Sequence, residues 1–192
     1  MTINLSKGQA ISLSKITSSK KFELRASWDL NELLVADVDI MCVLCDSNNK
    51  VLQPQEKNLI FYNNLESLDK SVIHTGDNKT GDGDGWDEII KLDFSKMNPN
   101  VSTVPMILNI HEGLSKGINF GLVKNLKVQI YDVENQQPVA EFTPELTNSL
   151  DTCIIIGNFI KNNGEFFFKA SGIGAMEGLD KVLAQFAIVA EY

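Results

Sequence analysis

Apolar residues recur at every second position in Phe22-Leu24-Ala26-Trp28, Ile90-Leu92-Phe94, Leu126-Val128-Ile130 and Phe166-Phe168-Ala170. Successive side chains of an extended chain point to opposite faces, so this period fits half-buried strands and does not fit helices. Denser apolar runs at Val38 to Leu44, Val104 to Ile110 and Cys153 to Ile160 predict strands covered on both faces. Turn-forming clusters punctuate the runs: NNK at 48–50, NPN at 98–100, ENQQP at 134–138 and KNNG at 161–164. Many short strands separated by turns predict a mostly β fold, a two-sheet antiparallel β-sandwich. The tail departs from this pattern. Met176, Leu179, Val182, Leu183 and Phe186 recur at helical spacing and predict a C-terminal amphipathic helix. A chain of 192 residues, 43% of them apolar, can bury a full core, and no linker or repeat divides it, so residues 1–192 read as a single domain.

The net charge of −8 argues against a nucleic-acid partner, whose binding is built on clustered Lys and Arg. No apolar run approaches the roughly 20 residues that span a bilayer, so no direct membrane span is expected. The N-terminal MTINLSKGQAISLSK lacks the apolar stretch of a signal peptide, which makes the cytoplasm the expected location. Cys42, Cys45 and Cys153, an odd number with no framework spacing, fit a reducing compartment.

The stretch GDNKTGDGDGWDE, residues 76–88, holds four glycines and five carboxylates. From Asp77 to Asp93, six carboxylates against two lysines leave −4, half the net charge of the whole chain. A charge run is most often a solvated loop. Here Gly81, Gly83 and Gly85 alternate with Asp82 and Asp84, and glycine lets the backbone curl so that carbonyls and carboxylates point inward. A hard cation taking six to eight oxygen ligands suits that arrangement, and Ca²⁺ suits it better than Mg²⁺, which demands tight octahedral geometry. Zn²⁺ would want His or Cys, and none lies nearer in sequence than His74. The loop is not an EF-hand: counted from Asn78, the sixth position is Gly83 as required, but the twelfth is Ile89, and SVIHT and IIKLDF on its flanks read as strands. A single loop rarely supplies every ligand. Asp37 and Asp39 share one face at the start of a strand that then turns apolar, so they can aim two more carboxylates in one direction, though an exposed strand end would carry them equally well.

The run FYNNLESLDKSVIHTGDNKTGDGDGWDE, residues 61–88, resembles the signature of the TerD-type tellurium-resistance family. LSKGQ at 5–9, DVD at 37–39, IHE at 110–112 and NFGLVKN at 119–125 fall in that family's order, so the resemblance covers nearly the whole chain. It implies a β-sandwich that binds one or two Ca²⁺ ions and acts without catalysis in a bacterial stress response to tellurite, phage and colicins, with a protein partner in a stress-response complex. Carried over by position, the implied ligands are Asp37, Asp39, Asp77, Asn78, Thr80, Asp82, Asp84, Asp87, Glu88 and Glu112. Where the family has consecutive acids, GDDE, this chain has Gly85-Trp86-Asp87-Glu88, and Trp86 offers no oxygen to a cation.

Other chemistry reads as weaker. Cys42 and Cys45 form a CxxC, but three residues apart on a strand they face opposite sides and suit neither a redox pair nor a metal clip. His74 and His111 stand with no Ser or Cys in a triad pattern and are expected in structural or ligand-supporting roles. The glycines of GIGAMEGL, without a following Lys, read as a helix start rather than a phosphate turn. Two alternatives stay open: a hydrolase using Ca²⁺ as Lewis acid with His111 or Glu112 as base, and a purely structural ion.

Overall fold

The computed structural model describes residues 2–29, 36–76, 85–146 and 149–189. Among them twelve strands form two six-stranded sheets, accompanied by the short helices α1 (Leu13–Ile16), α2 (Gly113–Lys116) and α3 (Leu179–Ala184). In the first, β1 (Ile3–Leu5), β10 (Gln137–Phe142), β9 (Lys124–Asp132), β3 (Lys21–Asp29), β7 (Glu88–Asp93) and β6 (Val72–His74) lie side by side in that order. In the second the order is β2 (Ala10–Ser12), β12 (Glu165–Ala175), β11 (Cys153–Asn162), β8 (Thr103–Ile110), β4 (Val38–Val43) and β5 (Leu59–Ile60). Every pairing is antiparallel except β1 on β10.

The four alternating segments are β3, β7 with Phe94, β9 and β12, and their in-facing residues Phe22, Leu24, Ala26, Trp28, Ile90, Leu92, Leu126, Val128, Ile130 and Phe168 are buried between the sheets. Phe94 stacks on Phe166 with ring centroids 4.1 Å apart, and Phe22 and Phe159 pack against it at a tilt. The three dense apolar runs are β4, β8 and β11, neighbours in the second sheet. They are apolar on both faces because the sheet is covered on both. Met41, Val43, Ile107, Cys153 and Ile155 form a second cluster on its outer face under Val182, Leu183, Phe186 and Ile188.

That cover carries the short helix α3 (Leu179–Ala184), which is shorter than the apolar spacing predicts. Gly178, at φ +86°, sets its start, so Met176 falls outside it and is 55% exposed, and Phe186 packs from the turn beyond its end. GIGA of the GIGAMEGL stretch likewise lies in β12, and only its last glycine precedes a helix. No described helix is long and apolar enough to cross a membrane.

β5 pairs with β4 only at Cys42–Ile60 and Val43–Leu59. The edge of β4 before Cys42 therefore runs past the end of its neighbour, and what satisfies it there decides how the two sheets are joined.

Candidate metal centre

The strand ends that flank the acidic stretch gather at one end of the sandwich. β3 finishes there, β7 starts there with Ala26 opposite Glu88, β6 finishes there with His74 opposite Ile90, and β4 starts opposite the last residue of β8, Val38 on Ile110. Asp37, Asp39, Asp87 and Glu88 are thereby carried to this end, while Asp77, Asn78, Thr80, Asp82 and Asp84 lie outside the described residues.

Each described acid has a distinct environment. Asp37 holds the chain at the head of β4 through its carbonyl, which accepts the His111 N–H at 2.8 Å. Its Oδ1 is buried and has no hydrogen-bond partner among the described residues. Asp39 is 3% exposed and sits opposite Asn109 of β8, itself buried. Asp87 continues the β3–β7 pairing: its N–H donates to the Ala26 carbonyl at 2.9 Å and its Oδ2 accepts the Trp28 N–H at 2.9 Å. Glu88 is 1% exposed, and its Oε2 accepts the Ile40 N–H at 2.5 Å. Glu112 departs from the group. It is exposed in a left-handed conformation ahead of α2 (Gly113–Lys116), with Lys116 Nζ 2.9 Å from its carboxylate, and that hydrogen bond and charge hold its carboxyl below the usual range.

A carboxylate oxygen left buried without a donor is costly unless a cation or proton meets it. Asp37 Oδ1 is such an atom, and with Asp39 beside it on the strand the donor chemistry is that of a hard cation. Among the described residues alone, no group of three or more His, Cys, Asp or Glu converges tightly enough to hold an ion.

His74 is 2% exposed, and its ring joins both sheets. Its Nδ1 accepts the Gly76 N–H at 3.1 Å, and its Nε2 lies 3.1 Å from the Ile40 carbonyl and 3.6 Å from Glu88 Oε2. Both backbone groups of Ile40, on the part of the β4 edge that β5 leaves uncovered, are thus met by side chains of β6 and β7. His74 was expected only as a general structural or supporting residue, and Asn109 was not singled out. The signals were a histidine two residues before the glycine that opens the acidic stretch, and one polar residue in the otherwise apolar VPMILNI.

Trp86 is half-buried with Lys127 Nζ 5.7 Å from its ring centroid, within cation–π range. Cys42 and Cys45 do face opposite sides of the sheet, in different clusters, and all three cysteines are buried and free. Burial raises the Cys42 thiol well above its ordinary range and pushes Cys45 and Cys153 up to about 12, so none supplies a thiolate at neutral pH.

A two-sheet sandwich with acids gathered at one end, two of them aimed from the head of an inner strand, defines a class of acid-crowned β-sandwich proteins. This chain belongs to the TerD domain family, whose model matches residues 1–186. It is 37% identical over 191 residues to a tellurium resistance protein TerD of Serratia marcescens, with 98% of each chain covered. It is 33% identical to general stress protein 16U of Bacillus subtilis (strain 168), again over 98% of each. In structure it resembles a homologue of the telluride resistance protein TerD from Streptomyces coelicolor A3(2), with a TM-score of 0.66 at 17% identity over 87% of this chain and 95% of that one. The family is one of tellurium-resistance and stress-response proteins.

Proposed function

We propose that this protein is a Ca²⁺-binding, non-enzymatic stress-response module, in which the ion joins the acidic stretch 77–88 to the head of β4 and presents a surface to a protein partner. The observation that carries this reading is the buried Oδ1 of Asp37, without a hydrogen-bond partner among the described residues, beside the buried Asp39 at the end of the sandwich where β6 finishes and β7 starts. Asp37, Asp39, Asp77, Asn78, Thr80, Asp82, Asp84 and Asp87 are the residues that would hold the ion. Glu88 would contribute from the seam it already occupies, its Oε2 engaged by Ile40. A bound divalent ion would offset half of the charge of −4 in the segment 77–93. The Lewis-acid hydrolase reading is less well supported. One of its candidate bases, Glu112, is ion-paired with Lys116 and held below the usual carboxyl range, which weakens it as a base.

Calorimetric titration of chelator-treated protein with Ca²⁺, in the presence of Mg²⁺, tests the proposal. Saturable binding of one or two ions that Mg²⁺ does not abolish is expected. Absence of any Ca²⁺ heat or stabilisation after verified metal removal would sink it.

A further inference from the structure

The geometry points to His74 as a positioning residue: its imidazole latches Gly76, the first residue of the acidic stretch, to the edge of β4 that β5 leaves unpaired, and so fixes where the stretch begins relative to Asp37 and Asp39. This inference rests on the calcium reading above and adds a residue that offers the ion no ligand of its own.

The latch follows from which atoms donate. Gly76 N–H donates to Nδ1 at 3.1 Å, so Nδ1 carries no proton. The proton is then on Nε2, which donates to the Ile40 carbonyl at 3.1 Å, with Glu88 Oε2 3.6 Å away on the same side. Ile40 returns its own N–H to Glu88 Oε2 at 2.5 Å. The imidazole therefore reads one backbone group on each side of the sandwich: an amide of the chain leaving β6 and a carbonyl of β4.

The place matters because Ile40 directly follows Asp39 and lies three residues beyond Asp37, while Gly76 directly precedes Asp77. Gly76 has φ +117°, a conformation that side-chain-bearing residues rarely adopt, so the chain turns sharply where the latch holds it. Between His74 and Gly76, Thr75 is tied to β7 through the Ile89 carbonyl, which accepts both its N–H and its hydroxyl at 3.1 Å. Thr75 thus fixes the stretch to its own sheet, whereas His74 fixes it to the opposite one. Buried partners that orient a metal site without touching the ion commonly change affinity by about ten- to a hundredfold when removed.

Three substitutions separate this role from mere packing. His74→Phe keeps the ring and loses both contacts. His74→Asn keeps an acceptor at the position of Nδ1 and loses the reach to Ile40. His74→Gln keeps that reach and loses the near acceptor. Calorimetric Ca²⁺ titration should show binding weakened by about tenfold or more in His74→Phe and His74→Gln. His74→Asn, which holds Gly76 but releases Ile40, should weaken binding likewise. Unchanged affinity in either His74→Asn or His74→Gln overturns the inference, and that pair decides the matter even if His74→Phe does not fold. Nitrogen-15 NMR of the metal-free protein gives a reading independent of calcium: Nε2 should be protonated and Nδ1 not, and the opposite tautomer overturns the latch. Failure of the unsubstituted protein to bind Ca²⁺ would instead remove the function proposed above.

Discussion

At Asp37 the chain places a carboxylate oxygen where no described residue meets it. Asp37 Oδ1 has neither solvent nor a donor among the described residues, a cost that a bound cation would remove. The substitution Asp37→Asn should consequently act with opposite signs in the two states. In chelator its melting temperature should equal or exceed that of the unsubstituted protein, because an unmet carboxylate charge has gone. In Ca²⁺ it should be lower, because a ligand has gone. Melting curves with and without chelator check this, and a loss of equal size in both would make Asp37 a structural residue. Asp46 is the control. Its carboxylate accepts the Asn48 and Lys50 N–H groups within the turn at 46–50, which holds its carboxyl below the usual range, and it lies far from the acidic end. Asp46→Ala should leave calorimetric Ca²⁺ affinity unchanged.

Between elements, close packing of β11 on β12 imposes a strict condition. Gly157, opposite Ala170 beside a bulge, lies where a Cβ would come within 2.3 Å of Phe168 Cζ and 2.9 Å of the Lys169 carbonyl oxygen. The Phe168 ring is fully buried and cannot swing aside, so Gly157→Ala should destabilise the protein by about 1–3 kcal/mol. Urea unfolding measures this, and a change inside error would mean that β11 yields at its bulge. The strands themselves were legible because their signals are local: a period of two in β3, β7, β9 and β12, continuous apolar runs in β4, β8 and β11, and glycine- or asparagine-rich turns between them. The length of α3 was less so, since the spacing of Met176, Leu179, Val182, Leu183 and Phe186 does not reveal that the chain turns at Gly178 and again at Ala187, φ +59°. At the acidic end, the Asp37–Asp39 pair could be seen from strand alternation. The contacts of His74 and Glu88 with Ile40 could not, because they depend on β5 stopping short at Leu59–Ile60, a matter of register between distant segments. Glu112 and Lys116, spaced as an i,i+4 pair, carried a local warning that the acid has another partner.

Across the whole molecule, two electrostatic terms set the conditions under which it stays folded. The first is a set of carboxylates wired into the fold. Burial opposes ionisation of Asp132, yet its Oδ1 accepts the Ser19 hydroxyl at 2.6 Å and the Asn135 N–H at 3.0 Å, its Oδ2 accepts the Asn135 side-chain amide at 2.8 Å, and the balance lowers its pKa. Asp69 and Glu141 are likewise lowered against their desolvation by hydrogen bonds. A folded pKa below the unfolded one of about 4 means stability that is complete above that pH and lost as pH falls through the folded value. Acid unfolding should therefore set in below about pH 4, and Asp132→Asn should flatten that limb of the stability profile while lowering stability at pH 7. An acid limb of unchanged steepness would assign the loss to other groups. The second term is net charge, −8 overall with −4 between Asp77 and Asp93. Without a cation, repulsion within that segment opposes the compact state, and salt screens it, because the Debye length falls from about 10 Å at 0.1 M to about 3 Å at 1 M. A bound Ca²⁺ removes most of the same repulsion at its source, and binding to the folded form alone stabilises it by about 2.7 kcal/mol at a hundredfold excess over Kd. Both treatments relieve one strain, so their effects should not add. Added KCl should raise the melting temperature of the chelated protein clearly and that of the Ca²⁺-loaded protein little, and calorimetric Ca²⁺ affinity should fall as KCl rises. Equal salt slopes with and without Ca²⁺ would place the repulsion elsewhere on the molecule and detach the acidic stretch from the binding of the ion.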